Sequence, residues 1–163
     1  MTENNLSQAN QSANETETFV GKNYAYYEKK WANAAVSSIK GFNVAAFFLG
    51  IIWLVYRKMY LYAAIVVGIL IIDAVIESYF PLPEAMGKAV TWATAAVFGL
   101  LGNTWYKTHV DKKIAEIKAT TPPEQIVAEL AKRGGVNPQA AWALGIFFII
   151  VIVLVIWVIL NGG

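Results

Sequence analysis

The sequence predicts an all-α fold: a polytopic helical membrane protein with three spanning helices, one interfacial or re-entrant helix, and short cytoplasmic helices. Three observations predict it. The 163 residues are 57% hydrophobic and 15% charged, with a mean hydropathy of +0.47, whereas soluble domains average about 45–50% and about 25%. The apolar residues are concentrated in blocks of roughly membrane length. The basic residues fall almost wholly on one side of those blocks, the side that the positive-inside rule makes cytoplasmic.

Residues 1–18 are polar and slightly acidic, with Glu3, Glu15 and Glu17 among Asn, Gln, Ser and Thr. Such a stretch buries too little apolar surface to offset its ordering entropy and is expected to be a disordered tail. It has neither the basic start nor the apolar run of a signal peptide. Residues 19–41 follow as a cytoplasmic amphipathic helix. Tyr24, Tyr27, Trp31 and Ala35 recur at spacings of three or four, with Glu28, Lys30, Asn33 and Ser37 off that face. That face suits either anionic headgroups or the protein's own cytoplasmic segments.

The membrane domain is expected over 42–160. Its first block, 42–56, is short for an upright span, a length common in interfacial and re-entrant segments. If it stays on the cytoplasmic leaflet, every Lys and Arg except Lys88 lies inside. If it crosses, Lys22, Lys29, Lys30 and Lys40 move outside. The first arrangement obeys the charge rule far better; four spans is the alternative. Segments 60–76 and 89–106 are spans, separated by a turn in which Pro81 and Pro83 deny backbone donors.

Segment 107–139 reads as a cytoplasmic helical loop. Val110, Ile114 and Ile117 carry a helical stripe beyond the span, and Thr121, Pro122 and Glu124 match a capping box. The helix that box would start, 122–133, buries Ile126 and Leu130 and stops at Gly134-Gly135. Asn137-Pro138 then opens the last span, 140–160, which is charge-free and covers about 31 Å at ~1.5 Å per residue. Trp142 and Trp157 sit near its interfaces. Residues 161–163 form an external end, so the N-terminus is cytoplasmic and the C-terminus external.

Little in the chain points to chemistry. The absence of Cys removes disulfides, thiolate nucleophiles and Cys-type zinc sites, and a net charge of +2 gives no case for nucleic acid. No catalytic, metal or cofactor motif is present. Asp73 and Glu77 share one helical face, and a carboxylate at membrane depth is a functional hypothesis by default. Thr91 and Thr94 lie at matching depth on the next span, and Lys88 is within reach of Glu77. These five residues form a candidate intramembrane polar site, read first as a packing cluster and second as a proton or ion relay. Ala64 and Gly68, with Ala95 and Gly99, make small-residue faces for close helix packing, and Asn103 adds a polar side chain near the inner end. Trp31, Arg57 and Lys58 are candidate lipid anchors. His109 lacks a second ligand or nucleophile and reads as a surface residue.

Several strings resemble one family. Phe19-Val20-Gly21-Lys22-Asn23, Tyr26-Tyr27 with Lys30-Trp31, the stretch from Phe42 to Gly50, and Tyr56-Arg57-Lys58-Met59-Tyr60 are similar to the DUF2628 family of small bacterial membrane proteins. Gly102-Asn103, Tyr106 and Gly134-Gly135 also fit. The resemblance covers residues 19 to 137. The chain departs from the family at Gly50-Ile51, where members often have Gly-Pro. The resemblance implies a bacterial plasma (inner) membrane location and carries no activity.

The sequence therefore leads to a non-enzymatic structural or interaction protein. Its expected partners are membrane lipids and a protein on the cytoplasmic side. The alternative is a subunit of a small proton- or ion-coupled channel or transporter using Asp73, which needs an oligomer, a homo-oligomer for example, because three spans cannot readily enclose a water-filled path.

Overall fold

The structure is a computed structural model that describes residues 3–36 and 41–161. Ser37, Lys40, the side chain of Ala35, and Gly162 with Gly163 lie outside the described residues. Within them every regular element is helical: α1 (Glu3–Val20), α2 (Tyr24–Val36), α3 (Val44–Leu49), α4 (Ile51–Tyr56), α5 (Tyr60–Tyr79), α6 (Glu84–Thr120), α7 (Ile126–Arg133) and α8 (Pro138–Asn161). Three of them, α5, α6 and α8, are long and apolar enough to cross a membrane. All three outrun the apolar segments that mark them in the sequence. The α6 helix continues without a break from the apolar stretch into the polar one, reaching about 55 Å at ~1.5 Å per residue.

The segment 42–56 is not a single helix. At Gly50 the backbone takes φ +47 and ψ −113, a conformation that a Cβ would strain, and the chain breaks there into α3 and α4. Asn43 starts α3 as an N-cap, its Oδ1 accepting the Ala46 N–H at 2.9 Å. The pair enters and leaves against the middle of α6, at contacts two helical turns apart. At the entrance the Asn43 N–H donates to the Gly99 carbonyl at 2.7 Å; at the exit the Arg57 guanidinium lies 5.1 Å from the Tyr106 ring centre. Between them Phe47 reaches further along α6 to Trp92, 6.2 Å between ring centres. On the return the Tyr56 carbonyl accepts the Asn137 N–H at 2.8 Å, just before α8. The α3 half packs on α6, and the α4 half on α5 and α8. The doubled-back pair is thus the piece on which all three long helices converge.

A Schellman turn carries the chain from α4 into α5. Lys58 N–H donates to the Val55 carbonyl at 3.0 Å and Met59 N–H to the Leu54 carbonyl at 2.9 Å, with Met59 and Leu54 both fully buried. Lys58 occupies the left-handed position, φ +58, which costs a non-glycine residue about 1 kcal/mol. Its ammonium offsets that cost. It donates to the Gly134 carbonyl at 2.5 Å and approaches those of Lys132 and Arg133 at 3.5 and 3.4 Å, at the negative end of α7. Lys58→Ala should lower the unfolding free energy in detergent by about 1 kcal/mol, and Lys58→Gly by less, because glycine relieves the turn it untethers. Equal losses would mean that the strain at Lys58 is negligible.

The buried core lies at one end of the molecule. The α1, α2 and α7 helices pack around the second half of α6, and Phe19, Val20, Tyr27, Tyr106, Val110, Ile117 and Leu130 are buried there. The Val110, Ile114 and Ile117 stripe faces this core as its spacing predicts, and Tyr24, Tyr27 and Trp31 face it too. Residues 3–20 are helical, not a disordered tail. Their polar composition would not hold a helix alone. The last turn anchors it, with Phe19 and Val20 buried and Glu15 paired with Lys118 at 2.9 Å. The expected capping box is also absent: Pro122 is extended (ψ 144), and α7 is entered through a short 3-10 turn, Pro123–Gln125.

Candidate functional site: a buried arginine in a tyrosine cage

The site grows out of the turn between α4 and α5. That turn aims Arg57 into the interior, and the residue is 4% exposed. Its guanidinium carbon lies 4.4 Å from the ring centre of Tyr27, 5.1 Å from Tyr106 and 5.3 Å from Tyr56. Tyr27 reaches it because the stripe of α2 faces α6, and Tyr106 because it lies on the buried face of α6. Trp53 and Trp31 close the cluster, each about one ring's width from Tyr106 (6.2 and 6.0 Å between centres).

The rings satisfy only part of the charge. Removing an ion from water costs several kcal/mol, and each cation–π contact returns about 0.5–2 kcal/mol. Aromatic faces also do nothing for the N–H edges of a guanidinium, which carries five donors. Among the described residues Arg57 Nε and Nη1 are buried without a hydrogen-bond partner, as is the Tyr106 hydroxyl. Among the described residues Arg57 has no carboxylate within ion-pair distance. Burial pushes the Tyr27 phenol up, with the Arg57 charge working against it, so Tyr27 meets the guanidinium as a neutral phenol near pH 7.

Beside the cage lies a cavity of about 590 Å³ between the start of α2, the α3–α4 pair and the foot of α8. Arg57, Tyr27 and Asn43 line its inner end; Leu49, Ile52 and Trp142 make an apolar wall. Among the described residues no carboxylate lines it. Leu49 and Trp142 are exposed, so the cavity opens between α3 and α8.

A second polar cluster holds the cavity's back wall. Asn43 Nδ2 donates to Asn103 Oδ1 at 2.7 Å, Asn103 Nδ2 to the Gly41 carbonyl at 2.6 Å, and the Trp31 indole to the Asn103 carbonyl at 2.9 Å. Unlike the Arg57 cage, each of its amide nitrogens and oxygens has a partner, which marks it as a clamp. Gly99 and Gly102 allow the approach: a Cβ on Gly99 would overlap the Phe42 ring, and one on Gly102 would sit 2.9 Å from Ala46.

The residues singled out in the sequence are placed differently. Asp73, Glu77, Thr91 and Thr94 are all exposed. Lys88 pairs with Glu84 at 2.6 Å, not with Glu77, and the Thr91 hydroxyl donates to the Gly87 carbonyl of its own helix at 3.0 Å. The structure does not bring these five side chains together, because α5 and α6 dock on the α3–α4 pair instead of lying along each other. For the same reason the small residues of α6 receive α3, and a Cβ on Gly68 of α5 would meet nothing within 4 Å. Of the candidate lipid anchors, the Trp31 indole donates to the Asn103 carbonyl, the Lys58 ammonium to the Gly134 carbonyl, and Arg57 is buried among tyrosines. His109 is half-buried, against the rings of Phe19 at 6.5 Å and Tyr62 at 6.2 Å. Sequence reasoning missed Asn43 as a partner and Tyr27 and Tyr106 as a cage. The signal for the first was an Asn immediately before a short apolar block; for the others it was Tyr at helical spacing on two elements, which ordinary core packing also produces. Among the described residues no three His, Asp or Glu side chains gather as a metal-ligating set.

Comparisons with curated proteins and with solved structures find no match. The family model of DUF2628, described as a protein of unknown function, matches residues 8–112. That stretch includes most of α1, all of α2 to α5, and α6 through Lys112, and therefore both the tyrosine cage and the asparagine clamp. The chain belongs to the DUF2628 family.

Proposed function

We propose that the chain is an integral plasma-membrane protein without catalytic activity, which carries a cytoplasmic layer of helices for contact with lipid and protein partners. One observation supports this above the rest: the distribution of burial is the inverse of a soluble fold. The packed core is gathered around α1, α2, α7 and the end of α6, while α5 and α8 expose large apolar side chains along their length, among them Leu61 at 72% and Leu160 at 76%. Surface of that kind and extent belongs in hydrocarbon. On this reading α5, the first half of α6 and α8 cross the bilayer, and the α3–α4 pair is re-entrant from the cytoplasmic side. Irregular backbone such as that at Gly50 is tolerated at membrane depth where protein surrounds it. The basic residues Lys107, Lys112, Lys113, Lys118, Lys132 and Arg133 then all lie in the cytoplasm, as the positive-inside rule asks.

The chain is free of cysteine, so single thiols report sidedness directly. Ser12→Cys in α1 should resist a membrane-impermeant maleimide applied to intact cells and react after lysis. Ser78→Cys and Asn161→Cys, at the far ends of α5 and α8, should react from outside. Labelling of Ser12→Cys from outside would overturn the topology, and release of the protein by alkaline carbonate would overturn membrane integration altogether.

A further inference from the structure

We propose that the cavity beside Arg57 is a binding site for an anionic phospholipid of the cytoplasmic leaflet, with the headgroup phosphate on Arg57 and an acyl chain along Leu49, Ile52 and Trp142. The inference rests on the membrane placement proposed above, which puts this cavity at the depth of the inner headgroups.

The two halves of the site ask for the two halves of such a ligand. The cavity is lined by an arginine, Arg57, that is 4% exposed and whose Nε and Nη1 have no hydrogen-bond partner among the described residues. Aromatic rings surround the guanidinium carbon at 4.4 to 5.3 Å, and a planar or tetrahedral oxyanion would supply the acceptors that its N–H groups lack. Among the described residues no carboxylate lines the cavity to take that role. The remaining wall is apolar, and it opens between α3 and α8, two elements that carry exposed Phe48, Leu49 and Trp142. A small hydrophilic anion would satisfy the arginine and waste the wall; a neutral lipid would fill the wall and leave the arginine unmatched. Inner-leaflet anionic lipids match both.

The test uses the full chain in detergent, with lipid retention read by native mass spectrometry after addition of phosphatidylglycerol or phosphatidylcholine of equal chain length. Wild type should retain phosphatidylglycerol in preference to phosphatidylcholine, and Arg57→Gln should cut that retention about tenfold, the order set by a charged hydrogen bond. Because Arg57→Gln disturbs the cage, a second variant is needed. Gly145→Leu adds bulk to the α8 side of the cavity, where a Cβ would meet only the end of Ile52 at 4.0 Å, and it should lower retention without lowering thermal stability. Equal retention of the two lipids, or retention unchanged in both variants, would overturn the proposal. So would displacement of phosphatidylglycerol by glycerol phosphate at matched concentration, which would assign the site to a free phosphate compound. None of these failures touches membrane integration, which the carbonate and thiol experiments decide separately.

Discussion

Asn103→Leu should be the most damaging conservative substitution in the apolar part of α6. The leucine fits the volume but removes the acceptor for Asn43 Nδ2 and the donor to the Gly41 carbonyl, at 2.7 and 2.6 Å, from a residue that is 1% exposed. Each buried group left without a partner costs about 1–3 kcal/mol. Interhelical hydrogen bonds within membranes average nearer ~0.6 kcal/mol, and the pair lies between these regimes, buried in protein near the polar end of the apolar segment. A loss of about 2–4 kcal/mol is therefore expected, read as a fall in the unfolding midpoint in mild detergent. The entry to α3 depends on this pair, so the variant should also expose the α3–α4 segment to hydrogen exchange while α8 is unchanged. A double-mutant cycle with Asn43→Ala should return a coupling of about 1–3 kcal/mol. Independent effects at the two positions would show that the clamp is not a unit.

Gly134→Ala should release α1 from the rest of the protein. The glycine has an ordinary backbone conformation, φ −75 and ψ −160, so the requirement is one of space. A Cβ there would overlap the Phe19 carbonyl and come within 2.7 Å of the Leu130 carbonyl oxygen. Both obstacles are backbone, which cannot turn away as a side chain can. The substitution would also break the bond from the Gly135 N–H to the Phe19 carbonyl, 2.7 Å, which satisfies an otherwise orphaned group at the end of α1. Overpacking of this kind costs about 1–3 kcal/mol, enough to undo a helix held mainly by its last turn. Trypsin should then cut after Lys22 severalfold faster than in wild type. Gly135→Ala is the control: its φ of +71 makes alanine strained, but a Cβ there meets nothing within 4 Å. It should cost about 1 kcal/mol without accelerating that cleavage. Equal cleavage in both variants would mean that α1 is held elsewhere.

These two positions show where sequence reasoning reaches its limit. Gly134-Gly135 reads correctly as the end of a helix, yet the pair splits into a glycine needed for its φ and one needed for its lack of a Cβ. That second requirement comes from Phe19, more than a hundred residues away. Asn103 reads as a polar side chain in an apolar helix, but nothing local names Asn43 as its partner. The tail at 1–18 fails for the same reason. Its composition is that of a disordered segment, and residues 3–18 are helical because Phe19 and Val20, which follow them in α1, enter a core made by others.

The sequence by itself determined the all-helical class, the three long apolar helices and the amphipathic stripes on α2, α6 and α7. Each of these follows from period and length over a short window, where the partner can be any apolar medium. Only the tertiary structure decided that the 42–56 segment turns back at Gly50 to become the support for α5, α6 and α8. The same arrangement separates the Asp73 and Lys88 helices that sequence spacing had put side by side, and it turns Arg57 inward onto Tyr27, Tyr56 and Tyr106. These are meetings of residues distant in the chain, and helical period carries no record of which face will find which. Arg57 and Lys58 illustrate it best. The two adjacent residues carry the same charge, yet one left-handed residue at the turn sends one side chain into a tyrosine cage and the other to the end of α7.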